Sequence, residues 1–326
     1  MFEINDLTAG QKIRFIKGIQ NRFHLTPSGE YDDHTKAGVK NFQLRMNIPS
    51  TGLLDDPTVK VLKTRFPELA EHFEAEEVSN EGYLTDEIDA TTDRSEVESD
   101  LVVHDKILPS DEYVNEKTPK KYLFIHHTSG WNNPYNVVDD WANDTRGRIG
   151  THYIIGGINI KTGDTQYDGE IVKAIPEDCW ANHLGGFQTH GISSQMHKQS
   201  IGIELCNFGY LTKRGSNFIT YTGAVCPKEF VVDLGVPFRG YQYWHKYTDL
   251  QLHSLEFLLR RLGEKYEIDL ERGLKQRLLI SKRDAFNTFD DAKAGKVPGL
   301  LSHTSVRKDK TDCSPQPNLI SMISGL

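Results

Sequence analysis

Apolar positions along the chain fall into two unequal groups with a polar gap between them. In the first group Ile13, Ile16, Ile19 and Phe23 recur at helical spacing, and Val39 and Phe42, with Ala37 nearby, give a later segment an apolar side. An internal echo frames these segments. Pro27-Ser28-Gly29-Glu30-Tyr31-Asp32-Asp33 is followed some two dozen residues later by Pro49-Ser50-Thr51-Gly52-Leu53-Leu54-Asp55-Asp56-Pro57. Each copy reads as a turn leading into a helix, with Asp to cap the free N–H groups and Pro57 suited to a first helical turn. The pattern predicts a small three-helix unit.

The second group alternates strand and helix signals. Tyr122-Leu123-Phe124-Ile125, His152-Tyr153-Ile154-Ile155 and Gln199 to Leu205 are short runs rich in strand formers, the last carrying Glu204 among apolar neighbours. Leu250, Leu252, Leu255, Leu258, Leu259 and Leu262 form the apolar stripe of a helix from Thr248 to Tyr266, with Thr248 as its cap. Val297 to Leu301 leads to His303, and Leu319 to Ile323 reads as a last helical turn. Strands alternating with helices predict an α/β domain with a mixed central sheet. Asn207 to His245, rich in Gly, Tyr and Phe, reads as long irregular segments.

The gap spans residues 76–118, and its first part is dense in carboxylates with no helical stripe, which predicts a solvated linker. The expected organisation is residues 1–75 as the helical domain, 76–118 as an acidic tether and 119–326 as the α/β domain. A length of 326 residues fits two domains of unequal size. The net charge of −8 gives no basic excess and argues against a nucleic-acid partner. No apolar run is long enough to cross a membrane, so membrane insertion is not expected. The N-terminus shows no basic start followed by an apolar stretch, which predicts synthesis in a cytoplasm without a signal peptide. Cys179, Cys206, Cys226 and Cys313 are irregularly spaced with no CxxC pair, and free thiols are expected.

Candidate chemistry lies in three distant places: His126 after the first strand, Glu204 in the third, and the segment from His303 to Cys313. A catalytic zinc takes three protein ligands and leaves one position open. His126, His303 and Asp312 can supply the three. Glu204 is the right type to take a proton from water, and Lys310 to steady an oxyanion. Spacing alone leaves the bland alternatives standing: packed histidines, a surface acid and a solvated charged loop.

Two resemblances add to this reading. Residues 10–65 resemble the peptidoglycan-binding type 1 domain, through Gly29, Tyr31, Thr35, Val39, Phe42, Gln43, Gly52, Asp55 and Thr58, with Gly38 where that family usually has Ala. Residues 120–320 resemble the type 2 N-acetylmuramoyl-L-alanine amidases, which include phage amidases and animal peptidoglycan recognition proteins. The match is carried by Phe124-Ile125-His126-His127-Thr128, Thr151-His152-Tyr153-Ile154-Ile155, Ser200-Ile201-Gly202-Ile203-Glu204-Leu205, and His303 through Lys310-Thr311-Asp312. The resemblance implies Zn2+ held by His126, His303 and a final ligand. Asp312 is favoured there, and Cys313 is the alternative. It implies catalytic roles for Glu204 and Lys310, and a substrate groove lined by His183 of His183-Leu184-Gly185, with Trp180 beside it to stack on sugar or peptide. Where some members carry a catalytic Tyr this chain has Thr151, which favours Glu204 as the base.

His127 points away from His126 on a strand and is expected to pack or to support it. His152, His245 and His253 are expected to be structural. The implied function is zinc-dependent hydrolysis of the amide between N-acetylmuramic acid and L-alanine in peptidoglycan, by a monomer acting at the cell wall after release, as phage endolysins do. A non-catalytic recognition protein and a zinc peptidase cutting within the stem are the alternatives. A muramidase would need a carboxylate pair that no motif supplies.

Overall fold

A computed structural model describes residues 9–22, 28–45, 48–49, 51–65, 69, 101–185 and 191–326. Phe23, Pro27, Ser50 and the acidic stretch 76–100 lie outside the described residues. The chain divides into two compact units, residues 1–100 and 101–326.

The first unit holds α1 (Ala9–Arg22), α2 (Asp33–Arg45) and α3 (Asp56–Arg65). Phe15, Ile19, Val39, Phe42, Leu62 and Leu69 form its core. The buried face of α1 keeps Ile19 of the isoleucine stripe read from the sequence but not Ile13. Ile13 is 47 % exposed, and the larger Phe15 ring takes the core position one turn before Ile19. The sequence echo is an echo of hydrogen bonds. Buried Gln20 Nε2 donates to Thr35 Oγ1, Ser28 Oγ and the Glu30 carbonyl, while Gln20 Oε1 accepts from Gly29 N–H. Gln43 repeats this with Thr58, Thr51, the Leu53 carbonyl and Gly52 N–H. Asp32 and Asp55 each cap the following helix, at Thr35 N–H and Thr58 N–H. Gly29 (φ 78°) and Gly52 (φ 68°) supply the left-handed residue each turn needs.

Along the second unit the elements run β1 (Val103–Asp105), β2 (Tyr122–His127), α4 (Pro134–Ala142), β3 (Tyr153–Ile155), β4 (Ile171–Lys173), α5 (Ser194–Lys198) and β5 (Ser200–Leu205). There follow β6 (Tyr210–Arg214), β7 (Asn217–Thr220), β8 (Val225–Cys226), β9 (Val231–Phe238) and β10 (Tyr241–His245). The chain closes with α6 (Asp249–Lys265), α7 (Leu274–Leu278), α8 (Asp290–Lys293), β11 (Gly299–Ser302), α9 (His303–Val306) and α10 (Pro317–Gly325).

Six strands make a mixed sheet in the order β1-β4-β3-β5-β2-β11, with β3–β4 its antiparallel pair. Every residue of β2 and β5 is buried, as expected for central parallel strands covered on both faces. The leucine stripe of α6 packs on one face with Leu123, Ile125, Ile201 and Ile203. Thr248 and Gln251 close a capping box at its start.

Two expectations change. Residues 101–118 belong to the second unit rather than to the tether. β1 pairs with β4, Leu108 N–H bonds the Ala174 carbonyl, and Val114 N–H bonds the Trp180 carbonyl. A three-residue edge strand has too short a pattern to show as one. Second, residues 210–245 are no irregular segment but an antiparallel sheet in the order β8-β7-β6-β10-β9. Its β9–β10 hairpin turns through Arg239 (φ 54°) and Gly240 (φ 87°), the pair of positive φ values a tight two-residue hairpin needs. Arg-Gly is an uncommon signal for that turn, and Gly235 and Pro237 punctuate the strand before it.

Lys120 marks the junction into β2. It is 5 % exposed, and its ammonium donates to the carbonyls of Cys179 (2.6 Å) and Lys198 (2.9 Å). Burial lowers its pKa to about 8. The unfolded chain keeps this proton up to about pH 10.4, so between those values proton release favours the folded state and the residue's contribution to stability rises with pH. The unfolding free energy of the wild type relative to Lys120→Met should climb from pH 8 to pH 10 by up to about 1.4 kcal/mol per unit and stay flat from pH 6 to 7.5. Denaturant titrations across that range check the slope.

Gln43→Leu should destabilise the first unit by about 2–3 kcal/mol, because Gly52 N–H and the Leu53 carbonyl lose a buried partner. Faster hydrogen exchange at residues 51–62 of the full-length protein is the readout, with exchange in β2 and β5 unchanged.

Candidate active site

The parallel register assembles the site. On β2, Tyr122 and Phe124 face one side of the sheet, and Leu123 and Ile125 the other. His126 continues the first face and His127 the second. His126 is the register partner of Glu204 on β5, while on the other flank Ser302 of β11 pairs with Ile125, so His303 follows at the level of His126. The loop after α9 folds back, and Thr304 N–H donates to the Asp312 carbonyl, which returns Asp312 to His303.

His126, His303 and Asp312 thereby converge, all buried. Nδ1 of His126 lies 3.2 Å from Nδ1 of His303 and 3.2 Å from Asp312 Oδ2, and Nδ1 of His303 lies 3.0 Å from the same oxygen. Nε2–H of His303 donates to the Leu184 carbonyl at 3.0 Å, which leaves a bare Nδ1 in the neutral ring. Burial lowers the pKa of His126 to about 4, so this ring is neutral at physiological pH. Lone pairs this close repel one another unless a proton or a cation lies among them. A tetrahedral zinc with bonds of about 2.0–2.1 Å separates its ligand atoms by about 3.3 Å, and the donor set fits that ion.

Glu204 is 9 % exposed, and burial, with the Asp312 charge added, pushes its pKa well above the usual carboxylate range against the opposing pull of Lys310. Asp312 goes the other way. Burial raises it, but the two adjoining imidazoles, His303 first, more than offset this and hold it well below that range. Glu204 and Lys310 line one cavity of about 1250 Å³ together with the three converging residues.

Other expected residues fall elsewhere. Cys313 points into the main core beside Tyr247, away from the cluster. His183 lines the cavity but is only 9 % exposed, and its Nδ1 sits 3.0 Å from Nε2 of His126. Trp180 does not line the cavity. Its indole N–H donates to Glu116, and Lys198 lies over its ring, because the segment before β2 runs across it. His127 bonds the Tyr247 hydroxyl at 2.8 Å. His152 accepts from Gly202 N–H and bonds the Cys179 carbonyl, and Nδ1 of His245 accepts from Phe208 N–H. Thr151 spends its hydroxyl on the Tyr153 carbonyl. All four cysteines are free and buried.

The model of the N-acetylmuramoyl-L-alanine amidase family matches residues 116–315, a span that contains every residue of the cluster. The chain belongs to this family. Residues 17–62 of the amidase match the model of a peptidoglycan binding domain, and peptidoglycan is its substrate. In fold it is similar to the N-acetylmuramoyl-L-alanine amidase LysC from Clostridium intestinale URNW, at 16 % identity and a TM-score of 0.36 over 69 % of this chain and 95 % of that one. It is also similar to the Ph2119 endolysin from a Thermus scotoductus MAT2119 bacteriophage, at 14 % identity and a TM-score of 0.36 over 69 % and 100 %. No curated protein matches the chain. No helix among the described residues is long and apolar enough to cross a membrane.

Sequence reasoning missed Arg239. From the hairpin tip of the second sheet its guanidinium donates to the carbonyls of Lys308 (2.6 Å) and Thr304 (3.1 Å) and to Thr288 Oγ1 (3.0 Å), which staples the loop that carries Lys310 and Asp312. Only an aligned hairpin could have pointed to it. Arg239→Ala should cost about 1–2 kcal/mol of stability and loosen that loop. Faster amide exchange at residues 304–312 should exceed any change in β2 and β5.

Proposed function

We propose that the amidase is zinc-dependent and cleaves the amide joining N-acetylmuramic acid to L-alanine, with His126, His303 and Asp312 as zinc ligands. The observation that carries this reading is the convergence of the three ligand atoms within 3.2 Å, beside Glu204 and Lys310 in one cavity. Bound zinc supplies a Lewis acid that polarises the carbonyl under attack and makes water a better nucleophile near neutral pH. Glu204 takes the proton from the attacking water and passes it to the leaving nitrogen. The Lys310 ammonium neutralises charge that develops on the carbonyl oxygen. Asp312 stays ionised, and His126 stays neutral, as ligands must.

The matched wall-binding segment supports a division of labour in which residues 1–75 hold the wall and the acidic residues after them act as a tether. A weak wall-binding module joined to the cutting unit raises the local concentration of substrate. The pairing of a wall-binding with a wall-cutting unit fits an endolysin acting on the wall from a cell that it lyses.

Full-length protein loaded with zinc should release stem peptides beginning at L-alanine from purified peptidoglycan, and a chelated sample should release none, as read by mass spectrometry. Fragments cut inside the stem would make the enzyme a peptidase. Glu204→Gln should lower kcat at least about 100-fold while zinc content stays near one per chain. Turnover close to wild type in that variant would remove Glu204 from the role of base.

A further inference from the structure

The ring nitrogens that face away from the cluster carry a second message. A histidine binds a metal through one nitrogen only if its proton stays on the other, and an acceptor behind the ring holds it there. For His303 that acceptor is the Leu184 carbonyl. For His126 it is another imidazole, Nδ1 of His183 at 3.0 Å. An imidazole can donate or accept, so the direction of this bond needs a further anchor.

The chain of bonds supplies one. His183 Nε2 lies 2.7 Å from Ser200 Oγ, and Ser200 Oγ donates its hydrogen to the His197 carbonyl. A hydroxyl has one hydrogen. With that hydrogen on a carbonyl, Ser200 Oγ accepts from His183 Nε2–H. His183 Nδ1 is then bare and accepts from His126 Nε2–H, and His126 presents a bare Nδ1 to the cluster. Both ligand histidines are thus backed by sequence neighbours, His183 and Leu184, in a single turn. Gly185 N–H closes that turn on the Asn182 carbonyl, and Arg307 Nη1 donates to the Leu184 carbonyl from the far side. Gly202 leaves the room the relay requires, since a Cβ there would stand 3.0 Å from His183 Nδ1.

We infer that His183, backed by Ser200, is a positioning residue that fixes the tautomer and orientation of the zinc ligand His126, rather than a substrate contact. This rests on the zinc reading above. The predicted consequence is a loss of zinc affinity, with activity lost only as zinc is lost.

The test measures zinc affinity by chelator competition on the full-length protein, with the 15N shifts of His126 in the metal-free protein as a metal-independent readout. His183→Phe keeps the ring and removes both hydrogen bonds, and it should weaken zinc binding tenfold to a hundredfold, on the order seen for such supporting partners. His183→Asn places an acceptor oxygen near the Nδ1 position and should recover most of that loss. Ser200→Ala, a smaller change that decides the matter if His183→Phe does not fold, should weaken zinc binding several-fold. The wild-type 15N shifts should report the Nε2–H tautomer of His126, and Ser200→Ala should mix the two tautomers. Wild-type zinc affinity and an unmixed tautomer in Ser200→Ala or His183→Phe would overturn the inference. So would a raised KM with unchanged zinc affinity, which would return His183 to substrate binding. A wild-type protein with no affinity for zinc would instead bring down the zinc reading itself, and this inference with it.

Discussion

The cavity depends on three neighbouring parallel strands, β5, β2 and β11, that end at one edge of the sheet. Parallel strands run in the same direction, so residues at their C-terminal ends lie side by side however far apart they are in sequence. The register makes this concrete: Glu204 stands beside His126, and Ser302 beside Ile125, which puts His303 next in line. Interiors as apolar as these strands leave no tolerance for a slip. A shift of one residue on β2 would exchange His126 for His127 and turn the His126 imidazole toward α6.

That placement buries polar groups, and burial without partners is costly. The protein answers with bonds that end on backbone carbonyls. His303 reaches Leu184, His126 reaches His197 by way of His183 and Ser200, and Arg239 reaches Thr304 and Lys308. A carbonyl cannot reverse a hydrogen bond, so each such ending fixes a direction. The second sheet enters the site through this logic. It supplies none of the three converging residues, yet its hairpin tip holds the loop between His303 and Asp312.

Much of this was legible in the sequence, for identifiable reasons. β2, β5 and α6 carry strong periodic patterns, and His126, Glu204, His303, Lys310 and Asp312 sit at places that motif and strand end define together. The resemblance favoured Asp312 over Cys313 by its spacing from Lys310, and Asp312 is the one that meets the two histidines while Cys313 turns into the core. The second sheet was hidden because its strands are two to eight residues long and β9 carries Gly235 and Pro237, both breakers in other settings. His183 shows a different limit. Its motif marked it as lining a groove, and it does line the cavity, but which neighbour an imidazole serves is a matter of an ångström. The buried Gln20 and Gln43 networks were visible only as an echo of turn residues, since the glutamines themselves lie on helices and look like surface.

The two acids of the site show how environment divides one chemistry into two tasks. Glu204 and Asp312 are both buried carboxylates in one cavity. Asp312 faces two imidazoles and is held ionised, while Glu204 is buried near the Asp312 charge and is pushed toward its protonated form. An acid that cannot easily be protonated is a good ligand and a poor proton carrier. An acid pushed toward neutrality can hold a proton between water and a leaving group. The difference does not come from the residue types, since an exchange of Asp for Glu alters reach far more than acidity. It comes from placement: the loop after α9 returns Asp312 to two ring nitrogens, while Glu204 is buried in β5 near the Asp312 charge.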